Sequence, residues 1–522
     1  MASRFLSVTG RISWGLVVMS LTAACAASPG VDVEDATRLD QADTSTDTTA
    51  TTTSETLPAT TSTVEPSDPI DASDEALDEA ASSDPSAPAP TGLDGVGDSL
   101  YPALGNGGYD VQHYSLALEV DVDRNELEAV ATIEAVATDE LDVFHLDLEG
   151  LEIQEVTVDG SVATVERAGH EAVITPATPI VGAAPFTVVM RYLGTPEPID
   201  DPAIPFDTIG WHQREDTVYV VSEPSGAMTW FPSNNHPTDK ATFDFAITTD
   251  SDLTVVANGV LDGIEEVGGG QSTTTWRMDD PMTTYLASVY IGDFELRESV
   301  TDDGVRIRNY FPPAFADDLE SDFELTADVI DYFETLFGAA YPFAEYGSIV
   351  LPFSTGFALE NQTISVHGLD ATDPYTIAHE IMHQWAGNSV TLGDWQDIWM
   401  NEGFATYLAY LYFEDRGLSS DIEPVGMYAA LRGGSIGPAE VPIEELFGLS
   451  VYFRGGMALH ALRVEVGDDV FREILVTYYE RFAGGDITTD EFVDVVDEVA
   501  GPDAVAVLDA WLYGDDLPDF PR

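Results

Sequence analysis

The chain is short of cysteine and of positive charge. Cys25 is the only cysteine in 522 residues, so no disulfide forms within the chain and the fold must rest on its core and on any bound ion. Lys and Arg number 19 against 94 Asp and Glu, and the formal net charge of -75 argues against nucleic acid as a partner, because phosphates are repelled. Such an acidic surface suits salty surroundings, where screening lengths are short. No run of about twenty apolar residues, the length a membrane-spanning helix needs, is present. Core-forming material is nevertheless ample. Hydrophobic residues make up 44% of a chain several times longer than one domain of roughly 150 residues.

Arg4 and Arg11 precede an apolar stretch at 12–21 that leads into Thr22-Ala23-Ala24-Cys25, the layout of a secretory signal. Small residues directly before Cys25 resemble a lipobox, with Leu21 four residues before the cysteine and Thr22 where Leu is usual. A lipid on Cys25 would tether the protein to the membrane outside the cytoplasm; a plain signal peptide would leave it secreted and soluble. Residues 1–25 read as a lipoprotein signal peptide. Residues 26–104 read as a disordered acidic linker rich in Ser, Thr, Pro and Ala, with few large apolar groups to bury.

From Tyr109 onward short runs alternate in polarity, as in Leu116, Leu118, Val120 and Val122, and this period of two predicts half-buried strands. Similar runs at 218–221 and 253–257, the latter closing on Asn258-Gly259, make 105–300 an N-terminal β domain. Beyond Phe311-Pro312-Pro313 the period lengthens. Val329, Ile330, Phe333, Leu336 and Phe337 then share one helical face ahead of Gly338, and 301–522 reads as a helix-rich second domain.

Asp373-Pro374 supplies an N-cap and a first-turn proline, and Gly387-Asn388 a stop, predicting a helix over 374–386. It contains His379-Glu380-Ile381-Met382-His383. A spacing of four places both imidazoles on one face, one turn apart, as a tetrahedral Zn2+ requires, with Glu380 beside them to act on water. With nine histidines in the chain, such a match arises by chance roughly 0.015 times. Two histidines underfill zinc, and catalytic sites commonly add one carboxylate. Glu402 supplies it, in Trp399-Met400-Asn401-Glu402-Gly403-Phe404-Ala405, where a second helix can start and run to Gly417.

This arrangement, His-Glu-x-x-His followed after eighteen residues by Asn-Glu-Gly-Phe-Ala, resembles the zinc site of the aminopeptidase N-like family of metallopeptidases. Similarity extends over roughly 105–517, through Gly108-Tyr109-Asp110-Val111, Trp230-Phe231-Pro232-Ser233-Asn234-Asn235-His236-Pro237 and Tyr341-Pro342-Phe343. The resemblance implies one Zn2+ per chain on His379, His383 and Glu402, and Glu380 as catalytic base. It also implies amine anchors at Glu360, in Phe357-Ala358-Leu359-Glu360-Asn361, and at Glu223, in Val221-Ser222-Glu223. Phe357, Leu359 and Val221 depart from the usual Gly, Met and Gln. Tyr452, in Tyr452-Phe453-Arg454-Gly455, inherits the role of oxyanion donor, and Arg454 a structural one. The implied fold is α+β and multidomain: a β-sandwich-like saddle, then a thermolysin-like α/β catalytic domain, without the large C-terminal helical domain of many relatives. The implied activity is removal of N-terminal residues from peptides with a free N-terminus. A zinc endopeptidase and a catalytically reduced surface peptide-binding protein are the alternatives, and an epoxide-opening side activity stays open. The other histidines, among them His212, His236, His367 and His460, lack a second partner at metal-ligand spacing and read as packing or polar residues. Asp397 reads as either an orienting partner for a zinc histidine or a solvated loop carboxylate.

Overall fold

The computed structural model describes residues 95–205, 207–420 and 422–522. The signal-peptide, Cys25 and linker readings up to residue 94 lie outside the described residues. Residues 95–104, expected to belong to the linker, are instead part of the fold. Tyr101 and Leu104 are buried, and the buried Asp98 carboxylate accepts from the backbone N–H groups of Tyr101 (2.7 Å) and Trp395 (2.8 Å). Trp395 lies nearly three hundred residues further along the chain, so local composition carries no trace of this contact.

The alternating pattern produces the predicted strands. In Tyr109–Asp121, Leu116, Leu118 and Val120 all face the core. This strand sits inside an eight-stranded sheet, parallel to Lys240–Asp250 on one side and antiparallel to Glu126–Ala137 on the other. A three-stranded sheet is formed by Phe144–Asp147, Glu171–Thr175 and Thr164–Ala168. A five-stranded one contains Thr217–Val221 between Thr208–Arg214 and Val289–Gly292. Glu223 lies two residues beyond the end of Thr217–Val221.

The α/β region is built on a second five-stranded sheet, in the order Glu295–Val300, Arg306–Phe311, Glu345–Val350, Ser365–His367, Ala358–Leu359. Its first strand ends at Val300, within the stretch read as β domain, so this sheet begins earlier than the change of period indicated: the Arg306–Phe311 backbone recruits Glu295–Val300 by antiparallel pairing. Ala358–Leu359 forms an edge, and Glu360 follows it. Helix Thr326–Phe337 buries Val329, Ile330, Phe333 and Phe337 and ends at Gly338, as its apolar spacing predicts. Among the described residues there is no large helical domain, and no helix is long and apolar enough to cross a membrane.

Candidate active site and metal centre

Asp373 accepts from the N–H groups of Tyr375 and Thr376, starting helix Pro374–Met382 where the cap predicts. The helix stops four residues short of Ala386, because the chain tightens into three-residue turns, Gln384 N–H to Ile381 O and Trp385 N–H to Met382 O. Both histidines nevertheless share one face, with ring centroids 4.8 Å apart. Helix Trp399–Arg416 brings Glu402 against them: its Oε2 lies 3.2 Å from His379 Nε2 and 3.6 Å from His383 Nε2. His383 Nδ1 lies 3.3 Å from the Ala386 carbonyl oxygen, whose only role is to accept from an Nδ1–H, and this orients Nε2 toward Glu402.

The seven residues singled out from the sequence, Glu223, Glu360, His379, Glu380, His383, Glu402 and Tyr452, line a single cavity of about 520 Å³. No Lys or Arg is among the described residues that line it. Glu223 and Glu360 are buried, and the Oε1 atom of each lacks a hydrogen-bond partner. Carboxylate oxygens of Glu223, Glu360 and Glu402 fall within 4.8 Å of one another. Burial pushes the Glu223 and Glu380 carboxyls well above their ordinary range, and neighbouring glutamates add to the rise. Burial pulls down the His383 imidazole too, but Glu360 and Glu402 outweigh it and lift the group to about 10. The cavity therefore demands positive charge beside Glu402, as a proton on His383 or as a metal ion.

Tyr452 stands on a π-helical turn, Ser450–Arg454, that feeds helix Gly455–Val466. Its ring lies parallel to that of His379, centroids 6.1 Å apart. Burial, with Glu402 next in effect, raises the phenol well above its ordinary range, so it keeps the proton a donor needs. Arg454 is fully buried and donates to the carbonyls of Trp511 (2.8 Å), Ser435 (3.0 Å) and Tyr513 (3.1 Å), tying the C-terminal segment to the tyrosine turn.

Residues 110–286 match the Peptidase M1 N-terminal domain and residues 321–431 the Peptidase family M1 domain. The crystal structure of an M1 zinc metallopeptidase from Deinococcus radiodurans superposes with a TM-score of 0.77 at 31% identity, covering 82% of this chain and 99% of that one. The chain belongs to peptidase family M1. A mutant of the Deinococcus enzyme bound to the substrate Tyr-Ser-Ala superposes equally well, also at 31% identity and covering 82% of this chain and all of that one. Among curated relatives, Aminopeptidase 2 of Candida albicans is 24% identical over 76% of this chain and 46% of its own length. Human glutamyl aminopeptidase is 27% identical over 57% and 34%, respectively. The chain thus spans about half or less of the length of these relatives.

The M1 cofactor, zinc, fits the donors present. Ligand atoms on a tetrahedral ion with bonds of about 2.1 Å sit roughly 3.4 Å apart, and the two separations around Glu402 Oε2 bracket that value. The glycine after Glu402 has its own reason. A Cβ on Gly403 would come within 2.8 Å of the Gly455 backbone, so the helices carrying Glu402 and Tyr452 meet only because neither bears a side chain there. Gly403→Ala is expected to cost about 1–3 kcal/mol of stability through overpacking and to weaken zinc retention, both measurable by thermal unfolding with and without added zinc.

Sequence reading missed the residues that hold Glu360. Gln384 and Asn388 donate to its backbone carbonyl at 3.1 and 2.7 Å, and Gln384 also accepts from Thr363 N–H. Asn388 reads locally as a helix stop, which hid this second task. Asp397 is neither a partner of a zinc histidine nor solvated. It is buried and accepts from the N–H and hydroxyl of Thr489 at 3.0 and 2.6 Å. Among the other histidines, His236 bonds Thr238 and Asp98, His367 bonds the Ala371 carbonyl, His460 bonds Tyr407 and His212 stacks on Tyr219.

Proposed function

We propose that the protein is a zinc aminopeptidase that removes N-terminal residues from peptides. The observation that carries this reading is the pair of orphaned buried carboxylate oxygens on Glu223 and Glu360, in the same cavity as the metal donors. Buried carboxylates are costly unless paired, and among the described residues the only cationic group near them is His383, whose Nδ1 lies 3.8 Å from Glu360 Oε1. A substrate α-ammonium supplies that charge and sets the register for cleavage after one residue. Zinc, when bound, supplies Lewis-acid polarisation of the carbonyl and acidification of water. Glu380 takes the proton of the attacking water and passes it to the leaving amine. The Tyr452 hydroxyl donates to the oxygen on which negative charge develops. The binding of Tyr-Ser-Ala by the Deinococcus relative agrees with a peptide substrate.

Glu360→Gln is expected to lower kcat/KM for free-amine peptides by about 10- to 150-fold, the equivalent of roughly 1.5–3 kcal/mol for one lost charge-assisted bond. Steady-state kinetics on a tripeptide series checks it; an unchanged kcat/KM removes Glu360 from substrate recognition.

The location proposed is extracytoplasmic, with the enzyme held to the membrane by a lipid on Cys25 and spaced from it by the segment rich in Ser, Thr and Pro. The basic, apolar and small-residue order of residues 4–25 supports this. Detergent-phase partitioning of the wild type, lost in Cys25→Ser, checks it; wild type found only in the aqueous phase contradicts the anchor.

A further inference from the structure

Outside the catalytic cavity, a second group of ligand-type side chains comes together in the three-stranded sheet. Strand Phe144–Asp147 pairs antiparallel with Glu171–Thr175, which sets Asp147 directly opposite Glu171. Like charges in direct cross-strand register are unfavourable, and burial compounds the cost: Asp147 is 0% and Glu171 5% exposed. The hairpin joining Thr164–Ala168 to Glu171–Thr175 turns through Gly169 and His170, with Gly169 at a φ of +68°, a left-handed conformation that suits the first central position of a tight hairpin turn. That turn carries His170 over the carboxylate pair. Its Nε2 lies 3.6 Å from Asp147 Oδ1, 3.6 Å from Glu171 Oε1 and 3.1 Å from the Ala103 carbonyl oxygen.

These separations match the 3.2 and 3.6 Å found between zinc donors in the catalytic cavity. Asp147 adds an independent indication. Its Oδ2 is held by Asn235 N–H (2.9 Å) and the Asn106 side chain (3.3 Å), whereas Oδ1, on the side of His170, has no hydrogen-bond partner. Burial lifts this carboxyl to about 6, a cost that a bound cation offsets. The His170 side chain is 28% exposed and gives an ion a route in from solvent.

We propose that Asp147, His170 and Glu171, with the Ala103 carbonyl, form a second divalent-cation site that takes a first-row transition-metal ion such as Zn2+ or Mn2+. One imidazole nitrogen and three oxygens form a mixed donor set of the kind such ions accept. The ion replaces two facing buried negative charges with a neutral cluster. Its effect extends to substrate recognition through position alone: Asp147 holds the Asn235 backbone, and the Asn235 side chain donates to the carbonyl of Pro224 (3.3 Å), next to Glu223.

Metal content of the full chain tests this, measured by elemental analysis after equilibrium dialysis against Zn2+ in high salt, which suppresses diffuse binding to the acidic surface. Wild type is expected to hold about two ions and His170→Ala about one; the substitution leaves the net acidic charge unchanged. A His379→Ala/His383→Ala variant, stripped of the catalytic donors, is expected to retain about one ion in Zn2+ or Mn2+. One ion per wild-type chain and none in the double variant overturn the proposal and leave His170 as a hydrogen-bond partner of the Ala103 carbonyl. The wild-type stoichiometry decides the matter even if a variant fails to fold.

Discussion

Glu380→Gln is expected to keep its zinc and lose turnover by on the order of 100-fold or more, almost entirely in kcat. The substitution preserves the shape of a buried side chain at the cavity wall and leaves His379, His383 and Glu402 in place. What it removes is the only proton acceptor on the histidine helix that faces the cavity without belonging to the metal donor set. Tyr452→Phe, which deletes one hydroxyl from a ring stacked beside His379, is expected to show a loss of similar kind through the oxyanion instead. Metal analysis and kcat measured on the same preparations check both. Zinc loss in Glu380→Gln would mean that its carboxylate holds the ion, and near-wild-type turnover would place the base elsewhere.

Larger still is the effect expected from removing a donor. His383→Ala deletes one of three protein ligands, itself buried, and leaves Glu360, Glu380 and Glu402 facing one another with less cationic relief. Zinc content should fall from one catalytic ion per chain to near zero. Activity should fall by on the order of 1,000-fold or more, the scale on which the ion's Lewis acidity counts. Chelator treatment of the wild type should reproduce the loss, and added Zn2+ should reverse it there but not in the variant. Retained catalytic zinc in His383→Ala would contradict the assignment of the donor set.

What could be read from the sequence follows from the range of the forces involved. The zinc helix and the carboxylate helix were legible because capping, four-residue spacing and the Gly417 stop act within one or two turns; both start where expected, though the zinc helix ends at Met382 rather than Ala386. Alternation of Leu116, Leu118 and Val120 revealed a strand for the same local reason, but not that its parallel neighbour is Lys240–Asp250, since that pairing depends on the whole sheet. Residues 95–104 looked like linker because the groups that hold them, Asp201, His236, Asp394 and Trp395, are supplied from far along the chain. Asp397 was misread for a related reason, as its partner Thr489 begins a helix 92 residues later. The cluster of Asp147, His170 and Glu171 was invisible to any search by local spacing, because a strand pairing brings its parts together. Glu223 and Glu360 were found only through the family resemblance; alone, each is one glutamate among many at a strand end.

The central claim is that the cavity recognises a free α-ammonium through Glu223 and Glu360. Hydrolysis of one peptide with its N-terminus free and acetylated, by the wild-type enzyme under identical conditions, tests it most directly. Acetylation removes the charge that the two orphaned carboxylate oxygens pair with and adds bulk where they sit, so the free peptide should lose residues one at a time from its N-terminus while the blocked one remains intact. Efficient internal cleavage of the acetylated peptide would contradict the account and make this M1 protein an endopeptidase.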